Sequence, residues 1–318
     1  MTGATTTRKD FLSVLDFDPT DLERCLDLGA RLKAERSLGS QAPTAGALDG
    51  RHVALLFEKP SLRTRTTFEV GVRELGGHVI ALQADVALGQ REEPADVARN
   101  LERWVDAVVI RTYSQRLLEQ FAAAARRLSV INALTDEQHP CQALADFLTL
   151  QERWGGVRGR TVALVGDGNN VAASFAHAAA MLGVNVHMAS PDGYQLPHAV
   201  VQQATGAARH GARLRLFSDA ADAVADADAV YTDTWTSMGQ EAEAAVRRQA
   251  FTPYQVNGPL MALAKPDALF MHCLPAHRGD EVTADVLESP AAVVFDQAEN
   301  RLHCQKALLL MLLAPGRV

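Results

Sequence analysis

The sequence predicts an α/β protein with two doubly wound domains, each built on a parallel sheet. Short apolar runs alternate with longer segments whose apolar residues recur at helical spacing, and this alternation is typical of βαβ units. The length of 318 residues fits two domains at roughly 100–200 residues each. We expect a first domain over 1–145, a second over 146–296, and a C-terminal helix over 297–318 that returns to the first domain.

The first half contains four predicted strands separated by helices. The clearest strand is the apolar run HVALLF. The helix that follows it places Phe68, Val72 and Leu75 on one face, and Gly76 ends it. The predicted strands lie at 52–57, 79–82, 107–110 and 130–131, and the predicted helices at 61–76, 94–105, 115–128 and 141–154. The helix at 141–154 is interpreted as the bridge between the two domains.

The second half repeats this alternation. Its predicted strands lie at 161–165, 184–189, 229–231, 269–271 and 292–295, and its predicted helices at 170–182, 196–210 and 297–313. Residues 234–258 are the least regular stretch of the chain and are interpreted as a mobile loop.

Composition limits the classes of partner. The formal net charge is −7, from 31 basic and 38 acidic residues, so general nucleic-acid binding is not expected. No apolar run approaches the ~20 residues needed to span a bilayer, and the N-terminal segment lacks the apolar core of a secretory signal. The four cysteines form no zinc-spaced cluster. We expect a cytoplasmic protein with free thiols, no membrane contact and no bound metal.

Polar and ionisable residues follow nearly every predicted strand. Because ligands bind beyond the carboxyl ends of the strands in open α/β sheets, these residues are expected to meet at one edge. They are SLRTR from Ser61, Arg111, HPCQ from His139, GDGNN from Gly166, Asp233 with SMG from Ser237, and HCLP from His272.

The SLRTR segment is the strongest candidate for an anion site. It opens a predicted helix, where backbone N–H groups and the positive end of the helix dipole attract anions. Ser61 and Thr64 add hydroxyl donors, and Arg63 adds a planar fork suited to phosphate. The alternative is an ordinary serine cap followed by solvated arginines. Arg111 at the next strand tip favours phosphate binding.

His139 and Cys273 are candidates of a different kind, because a lone histidine or cysteine is more often structural. His139 precedes a helix on which Gln142 lies one turn away, so both can reach one small polar ligand. Cys273 stands at a strand tip before Leu274, and the Leu-Pro bond that follows is a candidate cis peptide. These positions favour a functional role for both residues.

The GDGNN turn resembles the start of a dinucleotide fingerprint after a strand. Its third position is Val171 rather than glycine or alanine, and the next strand lacks an acidic residue at its tip to hold a ribose. Asn169 and Asn170 are better interpreted as substrate hydrogen-bonders at a helix start, or alternatively as cap residues.

Together these segments resemble the aspartate/ornithine carbamoyltransferase family over nearly the whole chain, from FEKPSLRTRTTFE to FDQAENRLH. The SLRTR and HPCQ segments are similar to motifs shared across the family. DTWTSMG and HCLPA are similar to the ornithine branch, whereas an aspartate carbamoyltransferase is expected to carry an HPLPR-like segment. The resemblance implies transfer of the carbamoyl group of carbamoyl phosphate to the side-chain amine of ornithine, without a cofactor.

The resemblance also implies a carbamoyl phosphate-binding first domain and an ornithine-binding second domain. Carbamoyl phosphate would be bound by Ser61, Leu62, Arg63, Thr64, Arg111, His139, Gln142, Cys273, Leu274 and Arg301. Ornithine would be contacted by Asn170, Asp233, Ser237 and Met238, and the catalytic residues would be Arg63, Arg111, His139 and Cys273. The family is built as trimers with sites between subunits, so a homotrimer or a multiple of trimers acting in arginine biosynthesis is expected.

Two positions depart from the family pattern. Leu62 stands where the ornithine branch usually has threonine, but this position contributes backbone in the family, so binding is expected to survive. Ala87 stands where a glutamine often contacts carbamoyl phosphate, so no residue is assigned there.

Three other functions stay open at this point. SLRTR also resembles acetylornithine carbamoyltransferases, so acetylornithine or putrescine is an alternative amine. A dinucleotide-dependent oxidoreductase and a binding protein that has lost turnover are the others.

Overall fold

In a computed structural model, the structure describes residues 9–84, 88, 92–237 and 239–317. The chain divides into two compact units. One comprises Met1–Leu148 with Asn300–Val318, and the other comprises Thr149–Glu299. Both are α/β units with wholly parallel sheets, which confirms the predicted fold class. The chain passes between the units within two helices, Pro140–Trp154 and Val294–Leu313.

The first unit contains a four-stranded sheet in the order β2-β1-β3-β4. Its strands are β1 His52–Phe57, β2 His78–Gln83, β3 Ala107–Arg111 and β4 Ser129–Leu134. Its helices are α1 Pro19–Glu35, α2 Leu62–Glu74, α3 Pro94–Leu101, α4 Gln115–Ala124 and α5 Pro140–Trp154, with short 3-10 helices at Val14–Asp16 and Arg36–Gln41. All five residues of β3 are buried, as expected for the interior of a parallel sheet covered on both faces.

The second unit contains a five-stranded sheet in the order β7-β6-β5-β8-β9. Its strands are β5 Thr161–Val165, β6 Asn185–Ala189, β7 Leu214–Phe217, β8 Ala229–Thr232 and β9 Leu269–His272. Its helices are α6 Asn170–Leu182, α7 His198–Ala207, α8 Ala220–Val224, α9 Ala244–Phe251, α10 Gly258–Met261 and α11 Ala284–Leu287, before α12 Val294–Leu313. Further 3-10 helices lie at Glu241–Glu243, Thr252–Tyr254 and Pro315–Arg317.

Each sheet has one point at which the strand order reverses. The chain runs from β1 outward to β2 and then returns to β3 on the other side of β1, and it leaves β5 for β6 and β7 before returning to β8. A crevice forms at such a switch point, beyond the carboxyl ends of the two diverging strands. The fold therefore singles out the tips of β1 and β3 in the first unit and those of β5 and β8 in the second.

Local sequence sets the bounds of α6. The side chain of Asn169 accepts the N–H groups of Val171 and Ala172, which caps the helix start. Gly183 ends it with φ of 80°, a left-handed conformation that glycine adopts without steric cost. The Asn169 cap and Gly183 explain why the predicted bounds of this helix, 170–182, are the same as the observed ones.

Two predicted elements were wrong. The apolar run at 292–295 is not a strand, because Ala292 makes only an isolated bridge to Phe270 and Val294 begins α12. A short apolar run fits a buried helix as well as a strand. The stretch at 234–258 is not one loop, since it contains α9. Among the described residues, no helix combines the length and apolar character required to cross a membrane.

Candidate active site

The switch point of the first unit carries the SLRTR segment. It follows β1 and opens α2, and Ser61 occupies the N-cap position with extended backbone and no side-chain capping bond. The hydroxyl of Ser61 is thus not used to cap the helix. Thr64 is buried and Arg63 is half-buried, whereas Leu62 is 78% exposed. Leu62 therefore turns an apolar side chain outward, whereas Thr64 of the same segment is buried and Arg65 is exposed.

Arg301 of α12 joins two other predicted residues of this site. Its guanidinium donates to the side-chain oxygen of Gln142 at 2.6 Å and to the hydroxyl of Thr64 at 2.9 Å. Gln142 in turn donates to Asp146 at 2.8 Å. Asp146 lies four residues after Gln142 on α5, so the two side chains are on the same face of the helix. This spacing is the one feature of the sequence that indicates their hydrogen bond.

Arginines surround His139. Arg111 and Arg301 are buried with it. Burial, followed by the positive charges of Arg301, Arg111 and Arg63, holds the pKa of His139 well below its usual value. His139 is therefore a neutral hydrogen-bonding group beside three guanidiniums. This arrangement suits an anion whose charge grows during a reaction, because the cations are fixed in place beforehand.

Two residues that follow β1, Glu58 and Lys59, hold the tip of this strand against its neighbours. Glu58 accepts a short hydrogen bond from Thr112, and the backbone N–H of Glu58 donates to the carbonyl of Arg111 at 2.8 Å. Lys59 is buried, pairs with Asp136 and lies 4.1 Å from the ring centroid of Tyr113. They fix the start of SLRTR beside Arg111.

The switch point of the second unit carries Asp233, directly after β8. Its carboxylate accepts hydrogen bonds from the Asn169 amide at 2.8 Å, the Cys273 thiol at 2.9 Å and the Thr234 backbone N–H at 2.8 Å. Three segments predicted to converge therefore meet at one carboxylate. The amide that contacts Asp233 is that of Asn169, the helix cap, while Asn170 is the first residue of α6.

The remaining predicted residues of the second unit lie nearby in sequence. Ser237 donates its backbone N–H to Gln240 at 3.0 Å. Leu274 has φ of 59° and precedes a cis peptide bond to Pro275, as the sequence indicated. Met238, like Ala87 of the first unit, lies outside the described residues.

Arg247 of α9 anchors the segment after Asp233, although no sequence motif indicated this residue. Its side chain is buried, pairs with Asp167 and donates to the carbonyl of Trp235 at 2.5 Å. Its guanidinium also lies 4.8 Å from the ring centroid of Tyr194. Burial raises the pKa of Asp167 to about 6, although the charge and hydrogen bond of Arg247 lower it.

Gly168 of the GDGNN turn is packed against another segment of the same unit. A Cβ atom on Gly168 would lie 2.3 Å from the backbone nitrogen of Leu196, so the glycine is required by the chain itself. The backbone N–H of Gly168 donates to the carbonyl of Tyr194 at 2.8 Å, instead of facing a pyrophosphate. Gly168 therefore serves packing within this unit, while Asn169 of the same turn contacts Asp233.

Asp233, His272 and Cys273 each place one potential metal-ligand atom within 4.8 Å of the others. Both ring nitrogens of His272 already have partners, the carboxylate of Glu281 at 3.1 Å and the backbone N–H of Leu274 at 2.8 Å. The imidazole is thus committed to hydrogen bonds, which favours a hydrogen-bonded cluster over a metal site.

Family models match both halves of the chain. The carbamoyl phosphate-binding domain of aspartate/ornithine carbamoyltransferases matches residues 9–152, and the aspartate- or ornithine-binding domain matches residues 158–312. The chain belongs to the aspartate/ornithine carbamoyltransferase family.

Individual relatives are similar over nearly their full length. The ornithine carbamoyltransferase of Methanoculleus marisnigri is 48% identical over 310 residues, which cover 97% of this chain and 98% of the relative. That of Acidothermus cellulolyticus is 50% identical over 313 residues, with 97% and 98% covered. The solved structure of the ornithine carbamoyltransferase from Pyrococcus furiosus has a TM-score of 0.91 at 47% identity and covers 95% of this chain and 96% of that one.

The depressed pKa of His139 predicts how stability depends on pH. The unfolded chain takes up a proton on this residue below its ordinary pKa of about 6.5, whereas the folded chain does not. Its contribution to stability is therefore complete above about pH 6.5 and is lost as the pH falls. Between pH 7.5 and 5.5, His139 should lower the free energy of unfolding by about 1.4 kcal/mol.

Urea unfolding of the wild type and of His139→Asn at both pH values measures this contribution. The variant should lose less stability than the wild type over that interval. Equal losses would mean that His139 accepts a proton in the folded protein.

Proposed function

We propose that this chain catalyses transfer of the carbamoyl group of carbamoyl phosphate to the side-chain amine of L-ornithine, giving L-citrulline and phosphate. The observation that carries the proposal is the group of three guanidiniums around the neutral imidazole of His139. The names of the similar proteins from Methanoculleus, Acidothermus and Pyrococcus support ornithine as the acceptor. The direct test is a citrulline-formation assay with purified protein, carbamoyl phosphate and ornithine, with acetylornithine and putrescine assayed alongside.

The first unit is proposed to bind carbamoyl phosphate. The backbone N–H groups at the start of α2, with Ser61, Leu62, Arg63 and Thr64, are assigned to the phosphate. Arg111, His139, Gln142 and Arg301 are assigned to the rest of the molecule. The bonds that Arg301 makes to Thr64 and Gln142 support this assignment, because they link the phosphate segment to the carbamoyl group's proposed partners.

Catalysis then requires little beyond positioning and charge. The neutral amine of ornithine attacks the carbonyl carbon and forms a tetrahedral oxyanion. Collapse of the oxyanion breaks the bond to the phosphate oxygen, and phosphate leaves with that electron pair while the attacking nitrogen loses a proton. Arg111, His139 and Thr64 are suited to stabilise the oxyanion, where one donor is typically worth ~2.7–4 kcal/mol. Arg63 and Arg301 neutralise the departing phosphate.

The second unit is proposed to bind ornithine. Asp233 is assigned to its α-ammonium group, and the thiol of Cys273, which donates to Asp233 at 2.9 Å, is placed to relay a proton from that group. Cys273 and Leu274 are also assigned to the carbamoyl group. Asn170, Ser237 and Met238 complete the proposed ornithine contacts.

The assembly and location are proposed from the family resemblance. We expect a homotrimer or a multiple of trimers, located in the cytoplasm and acting in arginine biosynthesis. A relative named as anabolic, from Pyrococcus furiosus, is 47% identical over 307 residues, which supports the biosynthetic assignment. Among the described residues, the four cysteines form no disulfide.

Replacing Arg63 with lysine should nearly abolish citrulline formation while leaving the fold intact. Lysine keeps the charge but lacks the planar fork that binds two phosphate oxygens, so kcat/KM should fall at least about 100-fold. Arg65→Lys is the matched control, because Arg65 lies on the same helix and pairs with Glu69 at the surface. Near-normal turnover by a folded Arg63→Lys protein would remove Arg63 from the phosphate site.

The rate should rise with pH at ornithine concentrations below saturation. The side-chain amine of ornithine resembles that of lysine, with a pKa of about 10.4, and only its neutral form attacks. Between pH 6 and 8.5 the neutral fraction increases about tenfold per pH unit. His139 adds no protonation step in this range, because its pKa is depressed. A flat profile, with chemistry shown to limit the rate, would contradict a neutral nucleophile.

Asp233→Asn should raise the ornithine requirement steeply and leave carbamoyl phosphate binding almost unchanged. Truncating one partner of a buried charged hydrogen bond costs about 2–5 kcal/mol in binding, which is roughly 30-fold to several-thousand-fold. The preference for ornithine over acetylornithine should also shrink, because the α-amine of acetylornithine is acylated and carries no charge.

Asp219→Asn is the control for a purely structural aspartate. Asp219 caps α8 by accepting the N–H groups of Ala221 and Asp222. Asparagine caps a helix about as well as aspartate, so this variant should change neither stability nor amine preference appreciably. If Asp233→Asn behaved in the same way, the assignment of Asp233 to the α-ammonium group would be wrong.

A further inference from the structure

We infer that Glu281 is a positioning residue that acts through His272 to hold the turn formed by Cys273 and Leu274. This inference rests on the proposed function, because that turn is assigned to the two substrates. Glu281 lies outside every motif that the sequence singled out, and it reaches the turn only through the histidine.

A chain of hydrogen bonds leads from Glu281 to the turn. His272 and Glu281 are both fully buried. One carboxylate oxygen of Glu281 lies 3.1 Å from Nε2 of His272 and accepts the backbone N–H of His277 at 2.6 Å. Nδ1 of His272 accepts the backbone N–H of Leu274 at 2.8 Å. The carboxylate therefore holds both ends of the segment that contains the turn.

The backbone of Leu274 determines how the His272 ring is protonated. A backbone N–H can only donate, so Nδ1 of His272 must be the acceptor and Nε2 must carry the ring proton. That proton is then directed to Glu281. Burial alone would raise the pKa of Glu281, but the hydrogen bonds from His272 and from the His277 backbone lower it below its usual value. An ionised Glu281 thus selects the tautomer that can close the turn.

The turn needs such support because Leu274 adopts φ of 59°. Residues with a Cβ rarely occupy this left-handed region, and they do so where the surroundings enforce it. Cys273 lies between His272 and Leu274, and its thiol donates to Asp233 at 2.9 Å. Any relaxation of Leu274 would move the thiol away from the carboxylate that is proposed to bind ornithine.

The contact between Glu281 and the side chain of His277 is weaker. Its second carboxylate oxygen lies 3.6 Å from Nδ1 of His277, whose side chain is half exposed. The buried pair with His272 therefore carries the link to the turn.

The test compares Glu281→Ala and Glu281→Gln with a matched buried carboxylate, Asp228. Asp228 accepts hydrogen bonds from Arg160, Lys265 and the Thr161 backbone, each at 2.8 Å. It precedes β8 whereas Asp233 follows it, so it lies at the opposite edge of the sheet. Thermal unfolding and the separate kcat and KM values for both substrates are measured for each variant.

Glu281→Ala should lower kcat/KM for ornithine about 30-fold in protein that is folded at the assay temperature. Glu281→Gln keeps an oxygen acceptor and should stay within about threefold of the wild type. Asp228→Ala should lower the midpoint of thermal unfolding while its kinetic constants stay within about threefold. If Glu281→Ala lost only stability, as Asp228→Ala does, the inference would be overturned.

Two His272 variants decide the question if Glu281→Ala does not fold. His272→Asn places an oxygen near Nδ1 and keeps an acceptor for Leu274, while His272→Gln places an amide near Nε2 and keeps only the donor to Glu281. The glutamine variant should have the lower kcat/KM by about tenfold, and equal constants would overturn the inference. A wild type that forms no citrulline would contradict the proposed function instead.

Discussion

Reversal of strand order in a parallel sheet is the constraint on which the candidate site of each unit depends. Where the chain returns past its first strand, two neighbouring strand tips diverge, and the loops that leave them open a crevice. The tips of β1 and β3 bring SLRTR beside Arg111, and those of β5 and β8 bring Asn169 beside Asp233. Polar residues far apart in sequence therefore become neighbours because of topology alone.

The two crevices differ in the charge of the residues that line them. An acidic protein with net charge −7 attracts an anion only where its arginines are concentrated, and the first unit buries Arg111 and Arg301 beside His139. Keeping that imidazole neutral avoids adding a further cation to an already positive cluster. The second crevice carries a carboxylate at the corresponding place. The two ligands proposed for the protein, an acyl phosphate and a diamino acid, match these opposite charges.

The sequence predicted the elements whose signals are local and missed those set by distant contacts. Strand β5 and helix α6 were predicted to the residue because apolar periodicity, the Asn169 cap and Gly183 agree. Strand β7 was missed because its alternation is short and includes arginine. In the site, motif residues could be named in advance, but Arg247 and Glu281 could not. Their partners, Asp167 and His272, are known only once the chain is folded.

Arg301 is made long after the residues it contacts, since it lies 237 positions beyond Thr64 in the chain. At about 5–20 residues per second, a ribosome needs roughly 10–50 s to cover that distance. Once β4 has been made, the nascent first unit has all four of its strands but still lacks one of the guanidiniums beside His139. The proposed anion site is therefore completed late in synthesis, well after the sheet that supports it has been made.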